Sequence, residues 1–238
     1  MTALRLLVTR PEPDATRTTR TLRSRGHEVL VAPMLTFEPI PDVALGSGPW
    51  AGMLLTSTNA ARALVQQAEF AALKDVPVLA VGDRTAEAAR ELGFTNVKSA
   101  AGDASDLSRA APARFSDKQS AILYAAAEDR AADTDMLVLK GIQVRTVVVY
   151  RMAKASAFPP DVAAALTGGN LDGVLHYSRR SAEAYLGCVA SVGQAALGPT
   201  HYCLSAEVAK PLLTAGTDRI RIALRPDEPA LFDLLTLD

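Results

Sequence analysis

Gly52-Met-Leu-Leu-Thr-Ser57 is a short apolar run ending in hydroxyls, and Gly173-Val-Leu-His-Tyr-Ser178 repeats its pattern 121 residues later. A second pair, Val78-Leu-Ala-Val-Gly82 and His201-Tyr-Cys-Leu-Ser205, stands 123 residues apart, with Ala86 over Ala209 and Gly93 over Gly216. Earlier in the chain, Leu22 and Gly26 fall on Leu137 and Gly141 at an offset of 115. Loop insertions produce a small drift of that kind. The matches predict two similar α/β halves of about 115–120 residues, the products of a duplication.

The rest of the chain keeps the same rhythm. Apolar runs too short for a buried helix are expected as strands at Leu4–Thr9, Val29–Ala32, Met53–Thr56, Val76–Val81, Val97–Ala100, Ala121–Ala125, Val144–Tyr150, Gly173–Tyr177, His201–Leu204 and Ile220–Leu224. Helical patterns fill the intervals. One is capped by Asp14 and closed by Gly26, and the next runs from Asn59 to Leu73. Others span Thr85–Leu92, a stretch capped by Asp103 or Ser105, Asp133–Lys140, a run ending at Leu166, Ser181–Val192, Glu207–Thr214 and Ala230–Leu235. A loop holding Pro39, Pro41, Gly46, Gly48 and Pro49 is expected before Met53. Strands alternating with helices predict parallel sheets flanked by helices on both faces.

The 238 residues are 49% hydrophobic and 21% charged, enough apolar material for a packed core and too much for a disordered chain. With 25 Lys and Arg against 26 Asp and Glu, the net charge is −1, which argues against nucleic acid as the main partner. Residues 1–10 hold only a five-residue apolar core, too short for a signal peptide. No run approaches a membrane span, so a cytoplasmic protein is expected. Cys188 and Cys203 form no CxxC motif, and His27, His176 and His201 lack metal-ligand spacing, so neither metal nor cofactor is expected. His176 and His201 each sit in a strand beside a Tyr, where packing is the better expectation. The chain has no G-x-G-x-x-G after its first strand, no Walker loop and no G-x-S-x-G elbow.

In open α/β sheets, ligands bind outside the carboxyl ends of the strands, beside helix N-termini. Thr9-Arg10, Thr56-Ser57-Thr58-Asn59, Gly82-Asp83-Arg84-Thr85, Tyr177-Ser178-Arg179 and Ser205 gather at such ends. Hydroxyls, exposed N–H groups and Arg there suit anionic ligands, although each Ser, Thr or Asn is equally an ordinary helix cap.

These pieces together resemble the uroporphyrinogen-III synthase family. The resemblance is carried by Val8-Thr-Arg-Pro11, Leu54-Leu-Thr-Ser-Thr-Asn-Ala60, Val81-Gly-Asp-Arg-Thr-Ala86 with Leu92-Gly93, Gly102-Asp-Ala-Ser-Asp-Leu107, Val147-Val-Val-Tyr150 and Tyr177-Ser-Arg-Arg-Ser-Ala182. It implies two flavodoxin-like α/β domains, 1–35 with 154–238 and 40–148, joined by extended connectors at 36–39 and 149–153, with a substrate cleft between them. It also implies the reaction. Hydroxymethylbilane, a linear tetrapyrrole with eight carboxylates, loses its hydroxyl and closes through a spiro intermediate that inverts ring D. No cofactor is implied, and a monomer is expected.

Matching motif to motif, the resemblance makes Tyr150 the hydrogen-bond donor to the departing hydroxyl. It makes Ser57, Thr85 and Ser178 contacts for substrate carboxylates and Arg10 and Arg130 ion partners for them; Asn59, Arg179 and Ser205 join the substrate-binding candidates by their places at the strand ends. The sequence departs from the family at Ala126, where Gly is common, and at Ser205-Ala-Glu-Val-Ala209, where Glu207 would repel a polyanion. Two other readings fit paired α/β lobes: a non-catalytic cytoplasmic ligand-binding protein, and a transferase for nucleotide-activated substrates.

Overall fold

The computed structural model describes residues 2–46, 48–102, 104–115, 120–130 and 143–236; the helix expected at Asp133–Lys140 lies outside them. The strands are β1 (Arg5–Val8), β2 (Glu28–Val31), β3 (Leu35–Pro39), β4 (Trp50–Leu55), β5 (Val78–Ala80), β6 (Val97–Ser99), β7 (Ala121–Ala127), β8 (Val144–Lys154), β9 (Gly173–His176), β10 (Thr200–Cys203) and β11 (Ile220–Ile222). The helices are α1 (Asp14–Ser24), α2 (Thr58–Leu64), α3 (Phe70–Leu73), α4 (Asp83–Glu91), α5 (Ala104–Arg114), α6 (Pro160–Thr167), α7 (Arg179–Cys188), α8 (Ala206–Thr214) and α9 (Glu228–Asp233).

The chain forms two compact units: Met1–Thr36 with Ala153–Asp238, and Phe37–Met152. The first holds a five-stranded parallel sheet ordered β11-β10-β9-β1-β2. The second is built on a sheet ordered β3-β8-β7-β4-β5-β6. Its last five strands are parallel, and β3 runs antiparallel to β8, as the bonds Ile40 N to Val149 O and Ala155 N to Met34 O require. The order β6-β5-β4-β7-β8 is the same as β11-β10-β9-β1-β2 once β4 is laid on β9 and β7 on β1. That superposition is the one the sequence repeat prescribes.

Four local expectations are corrected. Asp14 is the first residue of α1 rather than its cap; Pro13 occupies the cap position, and the Asp14 carboxylate pairs with Arg10 and Arg17 instead. The single helix expected from Asn59 to Leu73 breaks into α2 and α3. Between them the buried Gln67 amide turns inward, donating to Ile40 O at 2.8 Å and accepting from Val43 N at 3.0 Å. The stretch expected as loop contains β3, whose Pro39 sits at the end of an edge strand, where a missing N–H breaks no ladder. The helix expected to reach Val192 stops at Cys188 and continues as two 3₁₀ turns.

The repeated glycines Gly52 and Gly173 share one physical cause. A Cβ on Gly52 would lie 2.0 Å from the Phe115 ring, and one on Gly173 would lie 2.4 Å from the Tyr202 ring. In each sheet a large aromatic covers the start of the strand, and only hydrogen fits beneath it.

Behind β9 and β10, His176 and His201 are fully buried, as packing residues would be, but they also form a pair. His176 Nε2 and His201 Nδ1 share a hydrogen bond of 3.0 Å, and the Tyr185 ring packs edge-on against both. The outer nitrogens, His176 Nδ1 and His201 Nε2, have no partner. The Ala196 carbonyl accepts from the Tyr185 hydroxyl at 2.7 Å and also lies near His201, where it favours the protonated ring against the larger effect of burial. With neither outer nitrogen in a full hydrogen bond, a neutral pair leaves one N–H and one lone pair poorly met, and a proton would add a second such N–H. Desolvation holds His176 well below its ordinary value, helped by the neighbouring His201, and lowers His201 to about 4.

Two outcomes follow for stability. Gly52→Ala and Gly173→Ala should each lower the unfolding free energy measured in urea by about 1–3 kcal/mol through overpacking. Gly187→Ala, with nothing within 4 Å of its Cβ, should not. The histidine pair stays uncharged when folded but protonates near 6.5 when unfolded, so the unfolded chain gains protons first as pH falls. Stability should be full well above pH 6.5 and fall below it by about 1.4 kcal/mol per pH unit for each histidine, about 5 kcal/mol for the pair by pH 4.5. His176→Phe/His201→Phe should flatten that limb of a urea-midpoint-against-pH series; an unchanged slope would place the acid sensitivity elsewhere.

Candidate functional site

Parallel strands deliver every strand-to-helix turn to one edge of a sheet, and the expected polar residues stand on those edges. In the second unit, β4 ends in Thr56-Ser57. The Ser57 hydroxyl caps α2 by accepting from Asn59 N at 3.1 Å, which leaves its O–H free to donate. Thr56 Oγ1 lies 3.3 Å from the Tyr124 hydroxyl of β7. The Asn59 side chain spans two elements: its Nδ2 leans on Met152 Sδ of β8 at 3.5 Å, and its Oδ1 accepts from Arg62 at 3.4 Å. After β5, the cap position of α4 is Gly82, which has no side chain to cap with, and Thr85 is buried in the first turn. Arg130 lies in the 3₁₀ turn after β7; its side chain is outside the described residues. Ala126, just upstream, buries its methyl among Leu54, Leu79 and Tyr124.

Tyr150 owes its place to a bulge. Along the β7–β8 ladder Ala126 pairs with Val148 but Ala127 pairs with Tyr150, so Val149 is the extra residue. Consecutive strand residues normally face opposite ways. Here Val149 and Tyr150 are both buried in one cluster with Leu55, Ala60 and Ala127. The Tyr150 ring meets Phe37 of β3 at 5.6 Å.

In the first unit, Thr9 donates to Leu175 O at 2.7 Å, locking β1 to β9. Arg10 is heavily committed. Its guanidinium holds Asp14 at 3.1 Å and Glu228 at 2.9 Å, donates to Thr18 Oγ1, and stacks over the Tyr177 ring at 4.2 Å. Glu228 also accepts from Tyr177 OH at 3.2 Å and from Thr18 Oγ1. Burial first, and then the Glu228 charge, push the Tyr177 phenol up, so it stays a donor. An arginine with two carboxylates already in hand binds α9 to α1; it is not a vacant site for a third.

Ser178 caps α7, accepting from Ser181 N while its own O–H goes to Ser181 Oγ at 2.9 Å. Arg179 is exposed and pairs with Glu183 at 2.9 Å. Ser205 caps α8 weakly, 3.4 Å from Val208 N, with its O–H free to donate. Glu207 sits in the first turn of α8, where its bond to Lys210 holds the carboxyl below its usual value. That pairing partly neutralises the charge that the sequence set against a polyanionic ligand. Sequence reasoning missed Tyr124, Met152 and Arg62, none of which lies in a recognisable motif. Arg62 alone carried a signal, a cation one turn beyond Ser57.

Among the described residues no cluster of three or more His, Cys, Asp or Glu could hold a metal ion. Nor is any helix there long and apolar enough to cross a membrane.

Comparison with known proteins places this arrangement. No curated protein matches the sequence. The crystal structure of uroporphyrinogen-III synthetase from Helicobacter pylori 26695 has a similar fold, with a TM-score of 0.67 and 18% identity over 100% of both chains. A mutant uroporphyrinogen III synthase from the extremely thermophilic bacterium Thermus thermophilus gives a TM-score of 0.55 at 16% identity, covering 99% of this chain and 98% of that one. The family model for uroporphyrinogen-III synthase HemD matches residues 16–233, nearly the whole length. The chain belongs to the uroporphyrinogen-III synthase family, the cyclising lyases of haem biosynthesis.

Proposed function

We propose that the chain converts hydroxymethylbilane to uroporphyrinogen III with Tyr150 as the donor to the leaving hydroxyl, acting as a cytoplasmic monomer without a cofactor. The observation that carries this residue assignment is the bulge of β8. It seats a tyrosine of the family's motif at the carboxyl end of the sheet, beside the turn that bears Ser57 and Asn59.

The substrate hydroxyl leaves as water as Tyr150 donates its proton, and the electron pair of the ring A pyrrole forms an azafulvene cation. Ring D attacks through its substituted carbon, giving the spiro species. That species fragments and recloses with ring D reversed, and loss of a proton restores the last pyrrole. Without the protein the bilane closes directly to the type I isomer. The protein must therefore hold a conformation in which spiro attack is the easier path, and contacts to remote carboxylates supply that preference. The free O–H groups of Ser57 and Ser205, the first turns of α4, α7 and α8, and the side chains of Asn59, Thr85, Arg130 and Arg179 are those contacts in this reading. Arg10 stays with Asp14 and Glu228, and Ser178 serves chiefly as the cap of α7.

Hydroxymethylbilane generated in situ, followed by oxidation and separation of the isomers, should give uroporphyrin III above the spontaneous background. Type I alone from folded protein would overturn the assignment. Tyr150→Phe keeps the ring against Phe37 and should still fold. Its turnover should fall by about 10²–10⁴-fold, the range for a lost general acid. Unchanged turnover removes Tyr150 from the chemistry.

A further inference from the structure

Most cations near the carboxyl edges of the two sheets already have acidic partners. Arg10 holds Asp14 and Glu228, Arg151 holds Glu38 at 2.7 Å, and Arg179 holds Glu183 at 2.9 Å. Arg62 differs. It is half-buried, and among the described residues no carboxylate lies within ion-pair distance of its guanidinium; the one acceptor there is Asn59 Oδ1, at 3.4 Å. That bond is long for an N–H···O contact, so the guanidinium keeps most of its donor capacity for another group.

Its position follows from helix geometry. Ala60, Ala61, Ala63 and Leu64 carry the buried face of α2, and Arg62 projects away from them. Helical side chains lean toward the N-terminus of their helix. The guanidinium therefore returns to the level of Asn59, just past the end of β4. Asn59 is held in turn by Met152 Sδ, two residues beyond Tyr150 on β8. The amide thus ties the cation to the strand that bears the proposed donor. A partly desolvated guanidinium with no counter-charge is costly unless an anion meets it, and its planar fork suits a carboxylate.

We propose that Arg62 binds a carboxylate of the substrate and that Asn59 is the positioning residue that aims it. The assignment rests on the reading of the chain as a hydroxymethylbilane cyclase, and it adds a cation beside Arg10, Arg151 and Arg179, which already hold carboxylates. Two measurements separate its failure from that of the functional reading. One is the rate of uroporphyrinogen III formation against hydroxymethylbilane concentration. The other is direct titration with uroporphyrin I, an octacarboxylate probe, followed by its fluorescence.

Arg62→Ala should raise KM and weaken probe binding by about tenfold, the scale of one charge-assisted hydrogen bond, while kcat and the melting temperature hold. Arg62→Lys should recover part of the loss, because it restores the charge without the fork. Raising the salt concentration should weaken probe binding to the wild type more than to Arg62→Ala. Arg20→Ala, which removes an exposed arginine of α1, should change neither constant. If the wild type makes uroporphyrinogen III and Arg62→Ala matches it in KM and probe affinity, the assignment is wrong. A fall in kcat alone, or a loss that follows the melting temperature, overturns it as well. A folded wild type that makes only the type I isomer and does not bind the probe sinks the functional reading, and this assignment with it.

Discussion

A parallel strand must re-enter its sheet from the end at which its neighbours enter, so every strand-to-helix turn leaves from the opposite edge. The rest of this molecule depends on that constraint. It collects Ser57, Gly82, Ser178 and Ser205, each at the cap position of the helix that follows its strand, on the carboxyl edges of the two sheets, though they are far apart in the chain. It also buries both faces of the central strands, which is why Leu54, Leu55, Leu175 and Cys203 are all inaccessible to water. A fold obeying this rule places hydrogen-bond donors in a row before any selection for a ligand has acted.

The same constraint explains which parts of the fold could be read from the sequence. Strands of a doubly covered sheet are short unbroken apolar runs, and their helices close on residues such as Gly26, Gly93 and Gly216, all at positive φ. These signals are local, so both copies of the repeat show them. Which copy joins which sheet is not local. Along the chain the repeat reads β1-β2, β4-β5-β6, β7-β8, β9-β10-β11, and each sheet takes one two-strand piece and one three-strand piece. The middle pair of pieces is contiguous and the outer pair is not, although both sheets have the same strand order. Composition and periodicity are blind to that choice; only the family resemblance carried it. The periodicity gave no sign of β3, whose Pro and Phe follow no period; the resemblance implied an extended connector there, and it is a strand because β8 runs on past its parallel partners to meet it.

At the site, the sequence could identify residue types but not their partners. Arg10 follows β1 in a motif that suggests an anion-binding cation, yet Glu228, 218 residues away, has claimed it. Arg62, in no motif, keeps donor capacity, its one side-chain bond among the described residues being the long one to Asn59. His176 and His201 are both buried, as packing suggested, but their hydrogen bond arises from β9 lying beside β10. The value of a charged or polar group depends on what surrounds it, and those surroundings come from contacts distant in sequence.

The proposed chemistry asks more of shape than of any single strong catalyst. Loss of the hydroxyl needs one donor, but the choice between spiro attack and direct closure is a choice between conformers of a long, polyanionic chain. Many modest contacts, spread along an edge, can bias such a choice where one tight contact would only raise affinity. Ser57, Asn59 and Arg62 offer contacts of this kind on one side of the six-stranded sheet, each fixed by a cap, a sulfur contact or an amide. The bulge at Val149 then sets Tyr150 on the same buried face as α2, so the donor and these contacts are positioned by one packed layer. A change that loosens that layer would alter binding and proton delivery together, whereas loss of the Tyr150 hydroxyl alone would touch only the second.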